Sequence, residues 1–176
     1  MPRNVEMKAK IGDLEALLKT AQQLCNGAEP EVLHQHDTFF NATNGRLKIR
    51  EFADLATQKS EIIFYDRPDS KEAKISDFLK VNVENAGLLK QVLDMAIGTK
   101  GELKKKRSLF IYGQTRIHVD EVEGLGNFVE LEVCLNDEQG LQTGQLIADD
   151  LLQKLGVSKS DLLSGAYIDA LPASCK

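Results

Sequence analysis

The sequence lacks the features that mark membrane-spanning, secreted and disulfide-rich proteins. It has no Trp, only 6% aromatic residues and no run of 18 apolar residues, so no transmembrane helix is expected. No apolar segment follows the N-terminus, and a secretory signal peptide is therefore not expected. The three cysteines, Cys25, Cys134 and Cys175, are scattered and form no C-x-x-C pair. We therefore expect a reduced, cytoplasmic protein with neither a disulfide framework nor a structural zinc site.

The chain also lacks a net positive charge. The net charge is −5, which creates no general attraction for nucleic acid or for an anionic membrane, so neither is expected as a partner. A local basic run, KKKR at 104–107, nevertheless leads into the strand-like stretch SLFIY. With 176 residues, 42% of them apolar, the chain can bury one core, and we expect a single domain spanning 1–176.

Hydrophobic periodicity divides the chain into strands and helices. Period-two alternation predicts, in chain order, the strands NVEMKAKI, VLHQHDTFF, RLKIREF, SEIIFYDRPD, KEAKISDFLKVNV, KKRSLFIYG, QTRIHVDEV and GNFVELEVCL. Helical spacing predicts GDLEALLKTAQQLC, with Asp13 as its cap, then ENAGLLKQVLDMAIG and TGQLIADDLLQKLG. Asn44 and Gly45 predict a hairpin turn with positive φ at both positions. Short turns between successive strands favour a largely antiparallel sheet.

Most predicted strands have one apolar face and one charged face. Lys48 and Arg50 share a side of their strand, as do Glu130 and Glu132 of theirs. An antiparallel sheet with one solvated face gives the same alternation. If the sheet closes instead, the charged sides converge, so that a basic wall could hold a polyanion and an acidic wall a divalent metal ion. The pattern alone leaves both interpretations open.

The order of several motifs resembles that of a known family. NVEMKAKI, RLKIRE, FYDRPD, KKKR, TRIHVDEVEGLGNFVELEV and GAYIDAL follow the sequence of motifs in the CYTH superfamily, the triphosphate tunnel enzymes, over nearly the whole chain. The resemblance implies an α+β fold, in which a closed eight-stranded antiparallel β-barrel carries helices on its outside. The charged interior of such a barrel binds a triphosphate. The resemblance therefore implies that the charged faces line a tunnel.

The resemblance also assigns roles to individual positions. It implies that Glu6 and Lys8, from the E-x-E-x-K motif, are catalytic, with Lys8 positioning or activating water. The implied metal ligands, for Mg²⁺ or Mn²⁺, are Glu6, Glu130, Glu132 and, next in order, Asp120. The implied triphosphate-binding residues are Lys48, Arg50, Arg67, Lys74, Lys105, Arg107 and Arg116.

Three departures from family patterns bear on the reaction. Asn4 stands where the motif has its first Glu, which removes one negative charge from the metal site. The His-Phe pair of the class IV adenylyl cyclases is missing, and so is the Trp of the thiamine triphosphatases. The expected function is metal-dependent hydrolysis of inorganic triphosphate or a triphosphate ester, by a monomer or homodimer. The alternatives are an adenylyl cyclase making cyclic AMP from ATP, and a triphosphate-binding module without turnover.

Overall fold

Helices separate runs of consecutive strands in the computed structural model, which describes residues 3–53, 59–69, 71 and 74–171. The strands are β1 (Arg3–Lys10), β2 (Glu31–Phe40), β3 (Arg46–Phe52), β4 (Ser60–Asp66), β5 (Lys74–Val83), β6 (Thr99–Tyr112), β7 (Thr115–Val122), β8 (Gly126–Cys134) and β9 (Leu162–Leu163). The helices are α1 (Leu14–Leu24), α2 (Ala86–Ile97), α3 (Leu141–Lys154) and α4 (Tyr167–Ala170). Cys175 lies outside the described residues.

Eight of these strands close into an antiparallel barrel because β1 pairs along both of its edges. The sheet order is β5, β4, β3, β2, β6, β7, β8, β1, and β1 then pairs with β5. At this seam Glu6 lies opposite Glu132 of β8 and Lys74 of β5. The short β9 lies alongside the end of β1. The expected fold, a closed eight-stranded barrel with helices outside it, is confirmed.

The apolar side of each strand faces outward, where helices cover much of it. Val5 of β1 is fully buried in a core that also contains side chains of α1 and α3. Gly144 brings α3 close to β1, because a Cβ atom at this position would lie 2.4 Å from Cγ2 of Val5. Asp13 caps α1 as predicted, accepting a hydrogen bond from the backbone N–H of Ala16 at 3.0 Å. The charged sides of the strands are thereby left to face the interior.

Two local features differ from the sequence-based prediction. In the turn between β2 and β3 only Gly45 adopts a positive φ, +57°, and Asn44 does not. A side chain at Gly45 would meet the carbonyl oxygen of Tyr65 at 2.7 Å, so packing as well as backbone conformation requires glycine there. The strand predicted to start at Lys105 starts six residues earlier, at Thr99, because its first half pairs with the end of β2.

The short helix α4 occupies one mouth of the barrel. It packs against an apolar cluster that contains Phe39, Leu103, Val122 and Phe128. Asp169 fixes the helix to the rim through Arg46 at 3.0 Å and Lys100 at 2.7 Å. None of the helices in the described ranges is long and apolar enough to cross a membrane. The opposite mouth lies where β2 begins and β3 ends.

Candidate active site inside the barrel

The barrel encloses a cavity of about 350 Å³ that collects most of the residues singled out from the sequence. Cavities of this size are typical of small-molecule sites. The predicted site residues that line it are Glu6, Lys8, Lys48, Arg50, Arg67, Lys105, Arg107, Arg116, Glu130 and Glu132. Asp120 and Lys74 are buried in the barrel without being part of the cavity lining. The charged sides of the strands are therefore an internal surface, and the solvated-face interpretation is wrong.

One side of the cavity is a basic wall, formed by Lys48 and Arg50 of β3 and Lys105 and Arg107 of β6. Asp37 of β2 lies between these two strands and accepts two hydrogen bonds from Arg50 and one from Lys48, all at 2.7 Å. Although burial raises the pKa of Asp37, Arg50 and Lys48 hold it well below its usual value. Asp37 is therefore ionised and fixes the two β3 cations in place.

A second buried carboxylate fixes the other half of the basic wall. Asp120 of β7 accepts hydrogen bonds from Arg107 at 2.7 and 2.6 Å and from the hydroxyl of Tyr167 at 3.0 Å. Lys105 lies farther away, with its Nζ 3.5 Å from Asp120. Because both oxygens of Asp120 already accept hydrogen bonds, its main contact is with Arg107. Arg107 is thus held by Asp120 in a two-point contact.

The lysines of the basic wall carry less positive charge than free lysines do. Burial and then the neighbouring Arg50 lower the pKa of Lys48 to about 8. Burial and then Arg107 lower the pKa of Lys105 well below its usual value. Asp37 and Asp120 are two carboxylates among four cations, so the cations repel one another across the cavity. A polyanion bound here would restore the missing charge balance.

The adjoining side is an acidic wall, formed by Glu6 of β1 with Glu130 and Glu132 of β8. The two walls meet where Arg107 donates a hydrogen bond to Glu130 at 3.3 Å. Burial raises the pKa of Glu6, and Glu130 raises it further through like-charge repulsion. Arg67 donates a hydrogen bond to Glu6 at 2.5 Å and lies 3.9 Å from Glu130. The three carboxylates are therefore close enough to interact, and Arg67 offsets part of their repulsion.

Asn4 extends the acidic wall toward the end that α4 leaves free. Its side-chain amide donates a hydrogen bond to Glu132 at 2.6 Å. Glu132 also accepts a hydrogen bond from Arg116 at 3.1 Å and lies 3.8 Å from His118. Where the family motif has a Glu, this chain thus has a neutral donor that binds the next carboxylate. The substitution removes one like-charge repulsion as well as one potential metal ligand.

Lys8 connects the acidic wall to the helix in the closed mouth. Its Nζ donates a hydrogen bond to the carbonyl oxygen of Gly165 at 3.1 Å and lies 4.0 Å from the ring centre of Tyr167. Burial lowers the pKa of Lys8, although Glu130 acts in the opposite direction. Its amine can therefore lose a proton more readily than that of a solvated lysine.

Comparison with known proteins decides the family. The family model described as the CYTH domain matches residues 2–167. The chain belongs to the CYTH domain family. It is 26% identical to adenylate cyclase CyaB of Aeromonas hydrophila in an alignment of 175 positions, which covers 93% of this chain and 85% of that protein.

Solved CYTH-like structures agree on the fold. A protein of Pyrococcus horikoshii superposes with a TM-score of 0.82 at 22% identity, covering 96% of this chain and 99% of that one. A Hippeastrum protein described as having a dominant triphosphatase activity superposes with a TM-score of 0.62 at 15% identity, covering 97% and 94% of the two chains. At these identities the likeness shows the barrel and not the reaction. CYTH enzymes include triphosphatases and adenylyl cyclases and in general depend on a divalent metal.

The acidic wall suits the hard divalent metal that CYTH enzymes use. Glu6, Glu130 and Glu132 offer carboxylate oxygens, the donors that Mg²⁺ and Mn²⁺ prefer. Among the described residues, no three His, Cys, Asp or Glu side chains converge closely enough to form a ready-made metal cluster. Arg67 accounts for part of this, because it already contacts Glu6. The donor chemistry therefore fits a metal ion whose binding replaces part of the Arg67 contact.

Several polar residues in or beside the cavity are not among the site residues predicted from the sequence. Period-two alternation puts Asp37 on the charged side of its strand. Its position between two basic strands, however, depends on β2 pairing with β6 as well as with β3. Tyr167 reaches Asp120 only because α4 folds into the mouth. Gln35 also lines the cavity, and the same alternation puts it on the charged side of β2 with Asp37. That signal could have identified Asp37 and Gln35 as lining residues, but not their partners.

Proposed function

We propose that this CYTH protein hydrolyses a triphosphate in its barrel with the help of Mg²⁺ or Mn²⁺. The observation that carries the proposal is that a basic wall and an acidic wall line one cavity. The basic wall has cations that repel one another, and the acidic wall has carboxylates that repel one another. A triphosphate with a bound divalent metal presents the complementary charges to both.

The basic wall binds the phosphate chain in this proposal. Arg50 and Arg107 are preorganised by Asp37 and Asp120, so little conformational freedom is lost when they contact phosphate oxygens. Lys48 and Lys105 add point charges beside them. Arg67, Lys74 and Arg116 are further candidates near the acidic wall. These groups stabilise the negative charge that shifts onto the phosphate oxygens as the P–O bond breaks.

The acidic wall positions the metal and the water. Glu6, Glu130 and Glu132 hold the metal ion, with Asp120 the last candidate because its oxygens already accept hydrogen bonds. When bound, the metal polarises a phosphoryl oxygen or the attacking water. Lys8 orients that water and, with its lowered pKa, accepts the proton that the water releases. Water adds to the terminal phosphorus while the bridging P–O bond breaks, so that inorganic triphosphate yields phosphate and diphosphate.

A substrate panel tests this function. Purified protein is incubated with inorganic triphosphate and with ATP in Mg²⁺, in Mn²⁺ and in excess chelator, and released phosphate is measured. We expect phosphate release only with added metal. Full activity in excess chelator would contradict the assigned role of the acidic wall.

A cyclase acting on ATP in the same cavity is the second candidate. It is favoured by the similarity over 93% of this chain to a protein named adenylate cyclase. A hydrolase turns ATP into ADP and phosphate, whereas a cyclase gives cyclic AMP and diphosphate. The proposed hydrolysis predicts ADP and phosphate. Chromatography of the ATP reaction distinguishes the two, and cyclic AMP as the dominant product would replace hydrolysis as the function.

A binding module without turnover is a third candidate, favoured by Asn4 in place of a motif carboxylate. It predicts that inorganic triphosphate binds tightly but is not hydrolysed with any metal. In that case Asn4→Glu is the natural substitution for restoring catalysis. Location in the cytoplasm and a monomeric or dimeric state stay predictions of the sequence.

A further inference from the structure

The helices of this chain cover the outside of the barrel unevenly. Buried side chains of α1 and α3 pack against the outward faces of β1, β7 and β8 in one large core cluster. On the other half of the barrel, α2 shares a smaller cluster with β2 and β3, in which only Phe40, Ile49 and Ala86 are buried. Leu79 and Val81 of β5 are not part of this cluster and are more than half exposed. In the part of the chain that the structure describes, the wall at β5 is therefore open to solvent.

The exposed part of the wall is an apolar sheet face. Leu79 and Val81 alternate along β5 with residues that line the cavity, so their side chains point outward. On β4, Phe64 lies opposite Leu79 and Ile62 lies opposite Val81, and both are only half-buried. Directly opposite residues of an antiparallel pair point to the same face. Four neighbouring apolar side chains thus form a surface of the kind that helices cover elsewhere on the barrel.

Helix α2 carries an apolar stripe that the barrel does not cover. Leu88, Val92 and Met95 follow one another at spacings of four and three residues, so they lie on one side of the helix. All three are more than half exposed, and Met95 is 90% exposed. Leu89 and Leu93, on the neighbouring side, pack against the barrel. A helix that is apolar on more than one side usually has apolar partners on each of them.

The sheet face and the helix stripe together have the size of a protein interface. Their most exposed apolar residues are Leu79, Val81, Leu88, Val92 and Met95. These residues expose on the order of 500 Å² of largely apolar surface, as much as the largest apolar patch of a typical monomer, and such patches are often functional. A stable dimer buries about 800 Å² on each partner, so the five residues supply more than half of that area.

The sheet face and the helix stripe also complement each other. The sheet face lacks a helix, and the stripe lacks a sheet to lie on, but α2 cannot turn toward its own β5 without leaving the cluster formed with Phe40 and Ile49. A second copy of the chain satisfies both, because a two-fold axis brings the stripe of each copy to the sheet face of the other. A single extended peptide would cover only one of them. Neither surface includes a charged side chain, so two identical copies meet without like-charge repulsion.

We propose that this chain forms a two-fold symmetric dimer in which α2 of each copy lies across the outward face of β4 and β5 of the other. Leu88, Val92 and Met95 of one copy then pack against Leu79 and Val81 of the second copy. The arrangement repeats, between chains, the helix-on-sheet packing that α1 and α3 make within one chain. It uses only the outside of the barrel, so it does not depend on the reaction proposed for the cavity.

Paired charge substitutions in the full chain test this arrangement. Val81→Glu alters the sheet face and Met95→Lys alters the helix stripe, and sedimentation velocity measures the oligomeric state. Wild type should have twice the 19.5 kDa mass of one chain. Each variant alone should dimerise at least about 100-fold more weakly, because its homodimer buries two charges without partners. An equimolar mixture should dimerise at least about tenfold more tightly than either variant, because one contact stays apolar and the other joins opposite charges.

The matched control is Leu146→Lys on α3. Leu146 is 67% exposed, about as much as Val81 at 63%, but it belongs to a helix that packs on the other half of the barrel. This variant should dimerise as wild type does. Thermal melts of the monomeric fractions check folding, and Met95→Lys alone decides the test if Val81→Glu does not fold.

Several results would overturn the proposed dimer. A wild type that is monomeric at its highest soluble concentration would do so, as would a dimer that Met95→Lys leaves intact. Loss of the dimer in Leu146→Lys alone would place the interface on α3 instead. A mixture of Val81→Glu and Met95→Lys that dimerises no better than its components would exclude contact between the stripe and the sheet face.

Discussion

The basic wall and the acidic wall of the barrel differ in how their buried charged groups are paired. In the basic wall, Asp37 and Asp120 lie between the cations and hold each arginine by two hydrogen bonds. In the acidic wall, Arg67 reaches across from the end of β4 and contacts Glu6 with one nitrogen. The basic wall is therefore rigid before any ligand binds. The carboxylates of the acidic wall instead accept hydrogen bonds from several separate donors, and a bound metal ion would replace part of these contacts.

The comparison also explains why lysine and arginine are mixed in the basic wall. An arginine that is held by a carboxylate is needed for the stability of the empty barrel. A lysine with a lowered pKa is tolerated there at a cost in stability and becomes favourable only when an anion binds. Neighbouring cations of one strand should therefore respond in opposite ways to substitution.

The largest expected effect is the loss of Arg107. Arg107→Met should lower the free energy of unfolding by about 3–5 kcal/mol, because it removes the two-point partner of the fully buried Asp120. Denaturant unfolding measures the change. Arg116→Met, at a half-exposed position, is the control and should cost much less. Equal stability of Arg107→Met and wild type would mean that Asp120 is not ionised in the barrel.

Next in size is the loss of a carboxylate from the acidic wall. Glu132→Gln keeps the shape of the side chain but removes its charge, and triphosphate hydrolysis should fall by about 100-fold. Triphosphate affinity, measured by calorimetry, should survive because the basic wall is intact. The control is Glu123→Gln in the exposed turn before β8. Unchanged hydrolysis by Glu132→Gln would remove Glu132 from the catalytic site.

A smaller effect of opposite sign is expected at Lys105. Lys105→Met should raise the free energy of unfolding, because it removes a buried amine whose pKa burial and Arg107 hold well below its usual value. Lys104→Met, on the outward face of the same strand, should change stability little. Thermal and denaturant unfolding measure both. A destabilised Lys105→Met would show that Lys105 makes favourable contacts in the empty barrel.

The smallest effect is the uptake of protons on binding. The pKa of Lys48 and that of Lys74 are lowered to about 8, so at pH 8.5 much of each amine is uncharged. A bound polyanion raises both values toward 10.5, so binding takes up protons at this pH, and affinity falls as the pH rises from 8 to 10.5. Calorimetry at pH 8.5 in buffers of different ionisation enthalpy measures the uptake. Lys48→Met should take up fewer protons on binding. Binding heats that are identical in all buffers would contradict the lowered pKa values of the two lysines.

Alternation along single strands was enough to predict which side chains face the cavity. Because a strand places successive residues on opposite faces, alternation puts Lys105 and Arg107 on one face and Lys104 and Lys106 on the other. In the structure, Lys105 and Arg107 line the cavity, whereas Lys104 and Lys106 are exposed. The order of motifs then predicted the closed barrel through a family resemblance. These two kinds of information account for the strands, the long helices and most of the charged residues that line the cavity.

Partners across the barrel could not be predicted in the same way. Asp37 bridges the two basic strands because β2 pairs with β6, which begins almost 60 residues after β2 ends, and no local pattern encodes that pairing. The helix α4 has four residues, too few to show a helical period, so its entry into the mouth was missed.

Titration of inorganic triphosphate into Lys105→Met and Lys104→Met tests the central claim most directly. The two lysines are adjacent in sequence but lie on opposite faces of β6, so the variants have the same composition and net charge. If the inner face binds the phosphate chain, Lys105→Met should bind triphosphate about tenfold or more weakly than wild type, because it loses a charge-assisted contact. Lys104→Met should bind as wild type does. Equal affinities in the two variants would contradict a triphosphate site inside the barrel.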